Sequence, residues 1–271
     1  MVIQHNIAAI NSYRNLGTNQ NALSKNLEKL SSGYKINRAG DDAAGLAISE
    51  TMRSQINGLN QAVNNANDAI GLIQTAEGAM TETHSMLQRM KTLTTQAANG
   101  TYTATARTNI KAELDALSSE ISRIATTTKF NGETPLNSGD NLTFFIGASA
   151  EKDNVMNVAQ QTMTATALTV DKLTVDTATN AFVSMGKVDA AIEAVSSYRA
   201  TLGAAQNRLE HTVNNLKVTS ENITSAESRI RDTDMADEIT AYTKNNILLQ
   251  AAQSMLSQSN AMPQGVLSML Q

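Results

Sequence analysis

The residues able to do chemistry are few and far apart. The histidines are His5, His84 and His211. None forms an HExxH pair or closes up with a second histidine, the spacing that a metal site on a helix requires. His84 falls in phase with an apolar stripe, where a hydrogen-bonded structural imidazole is the expected role. The stretch SGYKINRAGDD sets two glycines near Lys35 but lacks the GxxxxGK[ST] order that cradles a phosphate. No serine sits on a nucleophile elbow. The acidic pairs Asp41–Asp42 and Asp237–Glu238 have the placement of carboxylates that favour a helix N-terminus. Cysteine is absent, which removes thiol chemistry and any disulfide framework. No catalytic, cofactor-binding or metal-ligating set is expected, and the chain reads as a non-enzyme.

What the sequence does specify is long helices. Hydrophobic residues make up 41% of the 271 positions, enough for a core, yet aromatics are only 3% and there are two prolines. That combination favours uninterrupted helix. In the second half, Val188, Val195, Leu202, Leu209, Leu216, Ile223 and Ile230 recur every seven residues. Three residues after the first six stand Ala191, Tyr198, Ala205, Thr212, Thr219 and Ala226, mostly small. A strict heptad predicts supercoiling against partner helices, and small residues permit close approach. Earlier in the chain, Ile56, Leu59, Val63, Ala66, Ile70, Ile73, Glu77, Met80, His84 and Leu87 follow the same 3–4 alternation. They predict a helix from Thr51 to Asn99, about 70 Å long at ~1.5 Å per residue. Gly33, Gly40 and Gly45 precede it as breaks, with Asp41 and Asp42 available as caps. A further helix is predicted near Thr105 to Thr127, with Ile110, Leu114, Leu117, Ile121 and Ile124 facing inward. LTFFIGA has strand composition and NVMNVA can pair with it. Residues 162–180 are Thr-rich and carry no clear pattern. The expected fold is mainly α: an elongated antiparallel coiled-coil rod with a small β-hairpin around 130–180.

Both ends are amphipathic and poor in charge. The last 27 residues, Asn245 to Gln271, contain no Asp, Glu, Lys or Arg. Polar residues from Gln253 to Asn260 and then Pro263 break the run, so it is not a membrane span. Leu248, Ala252, Met255, Met262, Val266 and Met269 form one stripe. At the start, Ile3, Ile7 and Ile10 form a ridge, Leu16, Leu23, Leu27 and Leu30 another, and Gly33 closes the helix. Such ends either dock on their own domain or pack against other molecules. Only about one tail residue in three is a sizeable hydrophobe, and fixing a backbone costs ~1–2 kcal/mol per residue. Burial on several sides, among many copies, suits them better than pairing alone. Net charge is −4 with no basic cluster, so nucleic acid is not an expected partner. The start MVIQHNIAAINSYRN lacks a basic segment followed by an apolar run, so a cleaved secretory signal is not expected.

Three stretches carry a family likeness. They are VIQHNIAAINSYRNL with LSKNLEKLSSGYKINRAGDDAAGLAISETMRSQINGLNQAVNNANDAIGLIQTAEGAM, then TKFNG, and at the end AESRIRDTDMADEIT with KNNILLQAAQSMLSQSNAMPQGVLSMLQ. They resemble bacterial flagellin over residues 1–135 and 185–271, in the correct order. The resemblance implies a D0 domain of paired terminal helices (1–43 plus 231–271) and a D1 domain (44–230), with no D2 or D3 outer domain. It implies a homopolymer: the helical filament of the extracellular flagellum, with Ile3, Ile7, Ile10, Leu248, Met255, Met262, Val266 and Met269 as the D0 polymerisation face. It also implies export through the flagellar type III apparatus, an export chaperone on the C-terminal segment, and contacts with cap and hook-junction proteins. By the same resemblance, Arg89, Leu93 and Glu113 match a D1 determinant for the innate receptor TLR5 and equally face a neighbouring subunit. No cofactor, metal or membrane insertion is implied. Other readings are a hook–filament junction protein of the same superfamily and a non-flagellar coiled-coil signalling protein.

Overall fold

The computed structural model describes the backbone of residues 6–269 and the side chains of residues 6–265. The elements are α1 (Ile7–Ser32), α2 (Ala43–Ala98), α3 (Ala104–Thr127), β1 (Leu142–Phe145), a 3-10 turn (Lys152–Asn154), β2 (Val155–Val158), α4 (Ala178–Arg231) and α5 (Met235–Met269). The chain divides into two compact units, Met1–Ser54 with Glu221–Gln271, and Gln55–Ser220.

Local capping sets the helix ends. Asn6 Oδ1 accepts the Ala9 N–H, and Gly33, at φ 75°, closes α1 by donating to the Lys29 carbonyl. Asp42 Oδ1 accepts from the N–H groups of Ala44 and Gly45 at the start of α2. Gly45, expected as a break, lies inside the first turn of this helix. A Cβ there would overlap the Asp42 carboxylate and the Ile36 side chain. Glycine makes room for the cap, so α2 begins at Ala43 rather than near Thr51. Thr103 caps α3 through Ala106, and Asp234 caps α5 through Ala236 and Asp237.

In the unit 55–220, α2, α3 and α4 contribute to one buried cluster. In α2 of this unit Leu72 and Leu93 are buried, and with them a stripe of Leu59, Ala62, Ala66, Ala69, Ile73, Ala76, Met80, Thr83, Leu87, Met90, Thr94 and Ala97. That is an unbroken 3–4 alternation, but every second member differs from the expected one. Val63, Ile70, Glu77 and His84 are half-buried, and the residue just before each is buried instead. In α3, Ser118 and Ala125 are buried, where Leu117 and Ile124 were expected. The cause is shared: helices approach closest over small side chains, and the larger neighbours close the flanks. In α4, Val188, Val195, Leu202, Leu209 and Leu216 are at most 8% exposed. Ile223 and Ile230, expected in the core, are only half-buried. The contiguous cluster reaches only Val213, so the heptad outlasts the core that would cover it.

Polar ties fix the register of these helices. Lys91 pairs with Asp189 at 2.6 Å and Arg199 with Glu77 at 3.5 Å, joining α2 to α4. Arg107 donates to the carbonyls of Ala97 and Asn99, holding the α2–α3 turn. β1 and β2 pair antiparallel, with Leu142 opposite Val158 and Phe145 opposite Val155. Residues 159–177 have no regular structure, yet Met163, Ala165, Leu168, Val170, Leu173 and Val175 are all buried on the same cluster. Ser184 Oγ secures this segment, donating to the Thr174 carbonyl and accepting its N–H.

In the other unit, α1 and α5 run antiparallel. Asn6 meets Ser259, Asn19 meets Leu248 and Lys29 meets Glu238. Pro263 lies inside α5 and has no N–H to give the Ser259 carbonyl. The Asn6 side-chain amide donates to that carbonyl at 2.8 Å. The connectors into the pair are clipped together: Lys35 N–H donates to Arg231 O, and Thr233 N–H to Gly33 O. Arg231 also donates to Glu50 at 2.6 Å and lies 4.6 Å from the centre of the Tyr34 ring. The hydrogen bond from Arg231 holds the Glu50 carboxyl below its ordinary value.

Candidate functional site

The α1–α5 pair has almost no interior. None of the 26 residues of α1 is buried. Ala9, Ser12, Leu16, Asn19, Leu23, Asn26 and Leu30 are half-buried in heptad phase, the phase of the contacts with α5. Two of these are asparagines, and polar groups in a helix seam specify register at a cost in stability. On α5 the corresponding half-buried residues are Leu249, Ala252, Leu256 and Pro263, with Ser259 buried among them. The expected C-terminal stripe is therefore split. Ala252 belongs to the inner set, while Leu248, Met255 and Met262 are 41%, 65% and 56% exposed. Ile7 and Ile10 are likewise 66% and 60% exposed. Ile3 lies outside the described residues, as do the side chains of Val266 and Met269.

Two further apolar residues of this face escaped the sequence reading. Tyr13 and Ile247 are 69% and 61% exposed. Their signal was present: both fall outside the phase of Leu16, Leu23 and Leu30 or of Leu249 and Leu256. Beside the outward face runs a groove of about 360 Å³, lined by uncharged residues that include Ser12, Asn19, Leu248, Ala252 and Met255.

The second expected site, in the unit 55–220, is only partly assembled. Arg89 Nε donates to Glu113 Oε1 at 2.9 Å, bridging α2 and α3 on the surface. Leu93 does not join them. It is 2% exposed and belongs to the core. A four-residue spacing puts two side chains on one side of a helix, but one of them can lie at the edge of that side and the other at its buried centre. Phe182 and Val183, at the start of α4, are 65% and 56% exposed and were not foreseen. They flank Ala181 and Ser184, which face inward.

The remaining candidates for chemistry stay dispersed. His84 is half-buried and 2.9 Å from the Gln88 amide nitrogen, while the core position expected for it is held by Thr83. His211 is exposed, and His5 lies outside the described residues. Among the described residues no group of three or more His, Asp or Glu is placed to hold a metal ion. No helix of the described residues is long and apolar enough to cross a membrane.

Charge-poor terminal helices with uncovered apolar faces, in a chain that also holds a helical core and a hairpin, match a known family. Residues 3–139 match the bacterial flagellin N-terminal helical region, and residues 185–270 match the C-terminal helical region. The chain belongs to the bacterial flagellin family. It is 50% identical to flagellin of Bacillus subtilis (strain 168) over the whole of both chains. It is 46% identical to the flagellar filament 33 kDa core protein of Treponema phagedenis, again over the whole of both. The solved flagellin of Bacillus cereus superposes with a TM-score of 0.50 at 31% identity, covering 60% of this chain and 94% of that one. A putative flagellar hook-associated protein from Vibrio parahaemolyticus gives a TM-score of 0.59 at 12% identity, covering 71% of this chain and 100% of that one, a likeness of fold alone. As a flagellin, the chain is a structural subunit that polymerises into the flagellar filament, which is extracellular. It is a short form, with only residues 140–184 between the two matched regions.

Proposed function

We propose that the outward faces of α1 and α5 are the surfaces through which flagellin subunits pack in the filament. One observation carries this reading: Ile7, Ile10, Leu248, Met255 and Met262 are left 41–66% exposed by the partner helix that could have covered them. Each such side chain gains ~1.5–3 kcal/mol when a neighbour buries it. Heterologous contacts between identical copies propagate into an open helical polymer when the rotation does not close. Residues 1–43 with 231–271 then act as the D0 layer, and residues 44–230 act as D1.

The finer roles follow from family membership. The chain leaves the cell by the flagellar export route. An export chaperone covers the C-terminal segment until then, and cap and hook-junction proteins meet the same terminal helices. Arg89 and Glu113 form a surface pair that serves a neighbouring subunit and TLR5. Leu93 acts from beneath by shaping the helix that presents them. The role is structural rather than catalytic.

Seeded polymerisation of the Met255→Glu/Met262→Glu protein tests the packing face. We expect filament growth to fall by at least tenfold, since each buried unpaired charge costs several kcal/mol. The helical core should keep its melting temperature. Normal growth would show that this face looks into solvent in the filament too.

A further inference from the structure

Methionine is unevenly divided between covered and uncovered positions. Met80, Met90, Met156 and Met163 are at most 5% exposed. Met255 and Met262 are 65% and 56% exposed and stand one heptad apart on the outward face of α5. The thioether is an apolar side chain that mild oxidants convert into a polar one. Around these two sulfurs α5 supplies no cation to receive a polar oxygen, and the groove that Met255 lines holds only uncharged polar groups, those of Ser12, Asn15, Thr18 and Asn19. Ile247 and Leu248 share the exposed side, and no Lys or Arg occurs from Asn245 to Gln271.

We propose that Met255 and Met262 are an oxidation site through which peroxides block the addition of free subunits while sparing subunits already in the filament. The proposal rests on the reading of the α5 outward face as a packing surface. In the step itself, a sulfur lone pair attacks one peroxide oxygen and the O–O bond breaks. The S–O bond forms, and the departing oxygen leaves as water after proton transfer. Sulfur is oxidised by two electrons and the peroxide is reduced by two. The sulfoxide keeps the side chain's bulk but adds a strong acceptor. A packed apolar interface must then bury that acceptor without a partner. In a finished filament the neighbours cover both sulfurs, so the same oxidant cannot reach them.

Met235 supplies an internal control. It is 46% exposed, in the first turn of α5, and off the face defined by Leu248, Met255 and Met262. It oxidises without consequence for assembly.

The test treats monomer and filament with hydrogen peroxide in parallel and maps sulfoxide by peptide mass spectrometry. In monomer we expect Met235, Met255 and Met262 to oxidise well before Met80 and Met90. Seeded growth should slow by about tenfold or more, as an unpaired buried acceptor implies, while circular dichroism stays unchanged. Methionine sulfoxide reductases should restore growth. The Met255→Leu/Met262→Leu protein, still oxidised at Met235, should grow equally well before and after treatment. Oxidised parent that grows normally would overturn the proposal, as would growth that reductases fail to restore. If Met255→Glu/Met262→Glu blocks growth but sulfoxide does not, the oxidation site alone is wrong. If the Glu variant grows normally and both methionines oxidise as fast in filament as in monomer, the packing face itself is wrong.

Discussion

Asn6 satisfies two backbone groups that would otherwise have no partner. Its carbonyl oxygen caps α1, and its amide donates to the Ser259 carbonyl left without a donor by Pro263. Loss of a cap alone costs about 0.5–2 kcal/mol. We expect Asn6→Ala to lower the filament melting temperature, and to lower it less in a Pro263→Ala background, where the helix supplies its own donor. Equal losses in both backgrounds would show that the Ser259 carbonyl is satisfied some other way. Glu50 makes a pH-dependent contribution at the other end of the same unit. The Arg231 hydrogen bond holds its carboxyl below the ordinary glutamate value, so the folded form binds its proton less readily than the unfolded form. The contribution is therefore complete above the ordinary value and is lost as pH falls through the folded one. Glu50→Gln should flatten the acid side of a plot of melting temperature against pH. An acid limb identical to that of the parent would remove Glu50 from the account. Neither long-range tie could be read from sequence, because Asn6 and Ser259 are 253 positions apart and Glu50 and Arg231 are 181 apart.

At the scale of the helix, the period was legible and the choice between adjacent positions was not. Leu59, Ala66, Ile73, Met80 and Leu87 were expected in the core and are there. For the alternate positions, reading by hydrophobicity chose Val63 and Ile70, while the structure buries Ala62 and Ala69. Close helix approach rewards a small side chain at the contact, which a count of large hydrophobes cannot register. The same inversion replaces Leu117 with Ser118 and Ile124 with Ala125. Capping was more legible, because a side-chain cap acts within three residues: Asp42 and Gly33 were both foreseen. We expect Ala69→Leu to destabilise the core by about 1–3 kcal/mol through overpacking. Leu209→Ala, which leaves a cavity, should cost about 2–5 kcal/mol. Thermal unfolding of both variants is the check. If Ala69→Leu melts with the parent, the seam is looser than its burial indicates.

The two units of the molecule differ in whether they hold a core. Residues 55–220 close over large buried side chains such as Met80, Leu87, Tyr198 and Leu209. The α1–α5 pair has nothing comparable, since α1 buries no residue at all. Ordering the 26 residues of α1 costs ~1–2 kcal/mol each. Half-buried leucines interleaved with Asn19 and Asn26 do not offset that cost. The missing burial must come from other copies of the chain, which ties folding of the ends to assembly. This division was partly legible, because charge-poor ends with only about one sizeable hydrophobe in three residues already implied helices that need neighbours. Ile7, Ile10, Leu248, Met255 and Met262 were expected on the packing face and are 41–66% exposed, whereas Tyr13 and Ile247, as exposed as these, were not expected there. We expect hydrogen exchange in the free monomer to be fast throughout α1 and α5 and slow in the buried stretches of α2, α3 and α4. In the filament, all five helices should be protected. Removing residues 266–271 should abolish growth without changing exchange in the core, because it shortens α5 and leaves residues 55–220 intact. Slow exchange across α1 and α5 in the monomer would mean that the pair is stable alone. Its exposed Ile7, Ile10, Met255 and Met262 would then be a surface that forms before assembly rather than one that assembly completes.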